Sequence, residues 1–323
     1  MYCKKPNIPD LNYRSGLRYA VGKAVNYLKQ GIGISKKETK KLHNGFTPYV
    51  HGCGTLRRYV GIFNNFCDKV LEPAKINTIN KIATEHIEEH FKNLLNNNDT
   101  ENTIDLNATA LNKFFYAFNR DDLVKYINEK RGLWLSSATP SGRTDPFVNP
   151  DRVIGFMIDP YKSGAIIQKV TGSRAGDIKK VVDSVLSYPS SNIIYINKSK
   201  GGRNRMIDFS DRPNELKLVH QAVYTIDKHF TETKTNWTQF LKEYTKEVHR
   251  AARKAGETYC GPHAFRANYA ETRYETLSAK QVQTGIIDND KQQEEAVFKT
   301  ITEELGHSRI SMAKYYIPTF RKD

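Results

Sequence analysis

The chain has 323 residues and sets 50 Lys and Arg against 35 Asp and Glu, a formal charge of +15. That length suffices for about two domains with substantial cores, and the cation excess, interleaved with 18 Tyr and 15 Phe, argues against a typical metabolic enzyme and for a polyanionic partner, nucleic acid first. Four cysteines without paired spacing (Cys3, Cys53, Cys67, Cys260) argue against a disulfide framework or a zinc cluster, and the absence of a long apolar run argues against a membrane span or leader, so a cytoplasmic protein with reduced thiols is expected.

Taken in order, residues 1–12 read as a polar arm. Leu17, Val21, Ala24, Val25 and Leu28 recur at helical spacing, and Gly31 and Gly33 stop the pattern. Lys36, Lys37, Lys40 and Lys41 then read as a basic loop, either a solvated face or a phosphate contact. Thr55 is the expected N-cap of an amphipathic helix through Tyr59, Phe63, Phe66 and Val70, ended by Pro73. Ile79 to Leu95 make a second, broken by the Asn96–Asp99 run; Ala110 to Phe118 a third; Leu123 to Ile127 a fourth. The aromatic stripes on these helices are expected to be core rather than base-stacking platforms.

Residues 136–152 hold Ser, Thr, Gly and Pro without periodicity and read as an exposed linker, with Arg143 expected in solvent. The division expected is therefore a helical domain over 1–135, the linker 136–152 and a second domain over 153–323. In the second, Ile166, Ile167 and Val170 share a helical face that ends near Gly172. Ile193–Ile196 and Met206–Phe209 flank a Gly201-Gly202 turn, a β-hairpin signature, and Leu216–Phe230 and Trp237–Ala255 return to helix. The fold class is mainly α with a small antiparallel β-sheet.

Four motifs stand in sequence in this second half: Thr171-Gly172-Ser173-Arg174-Ala175-Gly176-Asp177; Ser199-Lys200-Gly201-Gly202-Arg203; Gly261-Pro262-His263-Ala264-Phe265-Arg266; and Leu305-Gly306-His307, followed eight and nine residues after the histidine by Tyr315 and Tyr316. A tyrosine phenol is almost wholly protonated near neutral pH, so it attacks only where cations surround the atom it attacks. Arginine suits a phosphate because its planar fork donates two parallel bonds, and histidine suits proton exchange because its pKa lies near working pH. A lone His at a helix end, or one Arg in so basic a chain, would otherwise be a cap or a surface charge.

This set, in this order, resembles the tyrosine recombinases: phage integrases, Xer proteins and their relatives. The resemblance covers the last half of the chain by motif and the first half by architecture. It implies a helical core-binding domain followed by a catalytic domain, the two forming a clamp on DNA. It implies that Arg174 and Arg266 clamp the phosphate, that Lys200 (with Lys198 its rival) acts as general acid to the 5′-oxygen, and that His263 exchanges the proton of the nucleophile or braces the phosphate. It further implies that His307 bonds a non-bridging oxygen, that Asp177 orients a neighbouring catalytic group, and that Tyr316 attacks to give a 3′-phosphotyrosyl link. Tyr315 falls one residue short and is expected to pack under its helix.

The implied activity is site-specific recombination by the integrase or transposase of a mobile element. The implied assembly is a homo-tetramer, a dimer of dimers, on double-stranded DNA, and neither metal, ATP nor another cofactor is expected. A Xer-type resolver, a type IB topoisomerase-like enzyme and a non-catalytic DNA-binding protein are the alternatives. Two features depart from the family pattern. Arg266 and His307 lie 41 residues apart, with the surplus expected as a polar loop over Ser278–Glu295. The tail Ile317–Asp323 is short for docking into a neighbour, which leaves that role to another element such as Leu17–Leu28.

Overall fold

The structure is a computed structural model, and it describes residues 16–43, 45–140, 145–199, 202–258, 261–283 and 290–317. The chain divides into two compact units, Met1–Gly142 and Arg143–Asp323.

Among its described residues the first unit's elements are helices, chiefly α1 (Leu17–Leu28), α2 (Lys36–Leu42), α3 (Cys53–Phe66), α4 (Thr84–Asn96), α5 (Glu101–Ala117) and α6 (Asp121–Ser136). The stretch read as a basic loop is helix α2. It has no apolar stripe, but Ser35 accepts a bond from the Glu38 N–H at 3.4 Å, Glu38 lies in the first turn, and Lys40 and Lys41 lie in the last. Cap and charge placement thus stabilise it from both ends. Helix α3 starts two residues before the expected cap: Gly52 is the N-cap and Thr55 lies inside the first turn. The aromatic stripes are core, with Phe63, Phe66, Phe91, Phe114 and Phe115 at most 1% exposed. Phe91 stacks on Trp134 at 3.8 Å between ring centroids. The apolar face of α1 (Leu17, Ala20, Val21, Ala24, Leu28) is buried in the same cluster, and Tyr19 on its other side is exposed.

In the second unit come α7 (Pro150–Gly155), α8 (Tyr161–Thr171), α9 (Ile178–Ser187), the strands β1 (Ile193–Ser199) and β2 (Arg203–Asp208), then α10 (Pro213–Thr233), α11 (Trp237–Ala255), α12 (His263–Gln283), α13 (Asp290–Glu304) and α14 (Ile310–Lys314). The strands pair antiparallel, with Ile194 opposite Ile207 and Tyr195 opposite Met206. Alternation turns Ile194, Ile196 and Ile207 inward, where they join Val181, Val223, Phe240 and Phe265. The stretch read as linker is tied down at its end. Phe147 is 2% exposed and its backbone exchanges bonds with the Asn268 amide, while Glu257 accepts from the N–H groups of Val148 and Asn149. Arg143 lies outside the described residues. The polar stretch 278–295 is not a loop over its described residues, because α12 runs to Gln283 and α13 begins at Asp290. A third apolar cluster joins Ala267, Tyr269 and Ala270 of α12 to Phe298, Ile301 and Leu305 and to Tyr316 and Ile317.

Among the described residues no helix is long and apolar enough to cross a membrane, and no group of three His, Cys, Asp or Glu side chains is placed to hold a metal ion. His51 bonds Thr47 and the carbonyl oxygens of Gly31 and Ile34 instead. Cys3 and Cys260 lie outside the described residues.

Candidate active site

Helix α8 stops at Gly172, which has a φ of +58° and no room for a side chain: a Cβ there would lie 2.4 Å from Tyr269. Only glycine suits this left-handed cap. The chain then runs extended through Arg174 into a short turn, Ala175–Asp177, that leads into α9. Arg174 is thereby presented at the head of a helix and its side chain stays 21% exposed.

Asp177, three residues on, is nearly buried. It accepts from the Ser199 hydroxyl at 2.6 Å and from Lys180 at 2.9 Å, and lies 3.8 Å from Arg174. Burial raises its pKa, but the bonds from Ser199 and Lys180 and the charge of Arg205 outweigh that and hold the carboxyl below the usual range. Arg174 in turn donates to Ser199 at 3.2 Å. A hydroxyl that sequence reasoning missed, that of Ser199, thus links Asp177 to Arg174. Ser199 had no signal beyond its place at the end of β1.

The hairpin is anchored on both sides. Lys180 donates to the Lys198 carbonyl at 2.6 Å, and Arg203 donates to the Gly306 carbonyl at 3.3 Å and to Ser308 at 3.2 Å. Lys200 lies outside the described residues. Lys198, its rival, is exposed, has a φ of +50° and receives the Asn204 side-chain oxygen on its N–H.

Helix α12 opens at His263, and its pitch puts Arg266 on the same face three residues later. Arg266 is fully buried. It donates to the Gly172 carbonyl, to the Leu305 carbonyl at 2.5 Å, to His307 Nε2 at 2.9 Å and, through Nε, to the Tyr316 hydroxyl oxygen at 3.4 Å. Helix α13 ends in a two-bond cap, in which the His307 N–H reaches Thr302 O at 2.8 Å, the Gly306 N–H reaches Glu303 O at 2.9 Å, and Gly306 takes a φ of +67°. His307 is thus both a helix-end residue and a member of the cluster. Burial, then Arg266, Arg174, Arg203 and Arg205, push its pKa down to about 3, so the ring is neutral and accepts from Arg266.

After α14 the two tyrosines part. Tyr316 is 4% exposed and Tyr315 38%, so it is Tyr315 that turns outward, not under the helix as expected; adjacent helical residues point about 100° apart. The Tyr316 hydroxyl lies 3.0 Å from His263 Nε2. The same oxygen accepts from Arg266, so the phenol sits within hydrogen-bond reach of a histidine ring nitrogen, the separation a proton exchange requires. Arg266 also lies 5.5 Å from the centre of the Tyr316 ring. The structure therefore brings Tyr316, His263, Arg266 and His307 into one cluster, with Arg174 and Asp177 bonded through Ser199 beside it.

No family model matches the sequence, and no curated protein matches it either. Solved structures do. A lambda integrase tetramer bound to a Holliday junction superposes with a TM-score of 0.61 at 14% identity, covering 97% of this chain and 80% of that one. XerH site-specific recombinase, in a post-cleavage complex with a palindromic difH substrate, gives 0.56 at 14% identity, covering 98% and 95%. The Tn1549 transposon integrase in complex with transposon right end DNA gives 0.51 at 13% identity, covering 92% and 94%. The chain has the fold of these integrases and recombinases.

Proposed function

We propose that this protein is a site-specific DNA recombinase, the integrase or transposase of a mobile element, which cuts and rejoins double-stranded DNA through a covalent bond to Tyr316. The observation that carries this is the phenol of Tyr316 held between His263 at 3.0 Å and the buried guanidinium of Arg266 at 3.4 Å. A buried tyrosine with a base on one side and a fixed cation on the other is poised to attack an electrophile that brings its own negative charge.

In the proposed reaction His263 takes the phenol proton and Tyr316 Oη attacks phosphorus. The P–O bond to the 5′-oxygen breaks, and that oxygen takes a proton from Lys200. The products are a 3′-phosphotyrosyl ester and a 5′-hydroxyl. Arg174 and Arg266 offset the charge that grows on the phosphate oxygens. Arg266 is held by two carbonyls, so its charge is in place before substrate arrives, whereas Arg174 keeps an accessible fork for the phosphate. Neutral His307 can meet a non-bridging oxygen. A 5′-hydroxyl from another strand then attacks the ester and releases the tyrosine, so the bond energy is conserved and no nucleotide is consumed. The net charge of +15 suits a duplex partner, and the DNA complexes among the fold neighbours, one of them a tetramer on a Holliday junction, support assembly of four copies on DNA. The likeness to XerH keeps a chromosome or plasmid resolver as the second reading.

The test is incubation with a nicked suicide duplex that loses its 5′-hydroxyl fragment on cleavage. A protein–DNA adduct that is absent in Tyr316→Phe supports the proposal, while a protein that binds the duplex without any adduct is a binding module only. Strand exchange between two sites, as opposed to relaxation of supercoils alone, separates a recombinase from a topoisomerase.

A further inference from the structure

A guanidinium that the proposed mechanism does not use lies behind the site. Arg205 sits on the inward face of β2, beside Ile207 in the alternation, and is 4% exposed. Its Nη1 donates to the Glu304 carbonyl at 2.8 Å and approaches the Gly172 carbonyl at 3.5 Å. Arg266 donates to that same Gly172 carbonyl and to the next one in the chain, Leu305. The two arginines thus tie the same two backbone edges together, the end of α8 and the end of α13. The stem of Arg205 also backs the turn that presents His307: a Cβ on Gly306 would lie 3.1 Å from Arg205 Cδ. Among the described residues, its Nε and Nη2 find no hydrogen-bond acceptor; Nη2 has Asp177 Oδ2 at 3.7 Å.

Two buried guanidinium nitrogens without a hydrogen-bond acceptor are costly, and an apolar residue of similar length would fill this space without that cost. An arginine here therefore needs a reason beyond packing. We propose that Arg205 is a positioning residue for the transfer assigned above to Tyr316: it locks the Gly172 and Glu304–His307 turns so that Arg266 and His307 stay aimed at the phenol, and it adds a fixed charge behind them. The inference rests on that functional reading. Burial, and after it Arg266, pushes the Arg205 pKa down to about 9, so it stays charged at neutral pH. The charged groups facing His307 are Arg266 of α12, Arg174 of the turn after α8, and Arg203 and Arg205 of β2, with the Tyr316 ring 5.7 Å away.

Single-turnover adduct formation on the suicide duplex tests this in wild type, Arg205→Met, Arg205→Lys and Tyr316→Phe. A wild type without a Tyr316-dependent adduct sinks the functional reading itself. Given that adduct, Arg205→Met is expected to keep wild-type affinity for the duplex and to form the adduct about 10- to 100-fold more slowly. Arg205→Lys retains the charge but not the planar fork, so its rate is expected to fall between those of Arg205→Met and wild type. A wild-type rate in Arg205→Met overturns the inference, as does a slowed Arg205→Met that loses affinity for the duplex to the same extent or that Arg205→Lys does not partly restore. Should circular dichroism find Arg205→Met unfolded, Arg205→Lys decides: a slowed rate at wild-type melting temperature supports the inference, and a wild-type rate overturns it.

Discussion

The two units bury different chemistry. In the first, the interior is aliphatic and aromatic, and among its described residues the buried charged side chain is Lys113, whose ammonium donates to the carbonyls of Thr47 and Tyr49. In the second, Arg205, Arg212, Arg266 and Arg273 are all under 10% exposed, together with Asp177, Glu247 and Glu304. Burying ions is costly unless they are paired and hydrogen-bonded, so a unit made only for stability would resemble the first. Glu247 takes Arg250 and the Ile158 N–H, while the other six gather around Tyr316, Asp177 and Glu304. Glu304 takes Arg273 at 2.7 Å and the Tyr269 hydroxyl at 2.8 Å, and thereby anchors the end of α13 just ahead of His307. One interior is built to hold together, the other to hold cations at fixed positions.

Substitutions should separate the two along that line. The largest effect on activity is expected from Arg266→Lys, which keeps the charge but loses the fork that meets two carbonyls, His307 and Tyr316. Adduct formation should fall by about 10²–10³-fold in a single-turnover assay; a loss under tenfold would mean that this guanidinium is structural. In the first unit, Phe114→Ala should cost about 3–5 kcal/mol in urea unfolding of that unit, while the fluorescence and circular dichroism signatures of a folded second unit persist. Collapse of both together would refute the independence of the two cores.

A smaller effect concerns pH. The folded chain holds His307 neutral down to about pH 3, whereas the unfolded chain protonates it near 6.5. Between those values the unfolded state binds the extra proton, so stability falls as pH falls through the window. His307→Gln removes this part, and the drop in unfolding free energy between pH 6 and pH 4 should shrink by about 1–3 kcal/mol. An unchanged drop would mean the ring is not held neutral. The smallest effect is Ser35→Ala, which removes the cap of α2 and should cost about 0.5–1 kcal/mol, read as a small fall in the melting temperature of the first unit.

What the sequence made legible follows the same division. Helices with an apolar stripe were readable, α11 to its bounds Trp237–Ala255, and so was the hairpin, because alternation and a Gly-Gly turn leave few other options. Helix α2 was not, because its stability comes from a cap and end charges rather than from a stripe. Of the stretch 278–295 read as a loop, the described residues belong to α12 and α13, because residues such as Ala279-Lys280 and Glu294-Glu295 suit a helix as well as a loop. In the site, motif context singled out Arg174, His263, Arg266, His307 and Tyr316, and the structure clusters them. Ser199 and Arg205 were invisible, since a lone serine, or one more arginine among 50 basic residues, carries no local mark. Only the fold shows that both face inward.

The most direct test of the account is to map the covalent link itself. Wild-type protein trapped on a suicide duplex, digested and sequenced by mass spectrometry, should carry the nucleotide on Tyr316, the buried phenol beside His263 and Arg266. A nucleotide found on Tyr315, the exposed neighbour, or on no tyrosine at all, would contradict it.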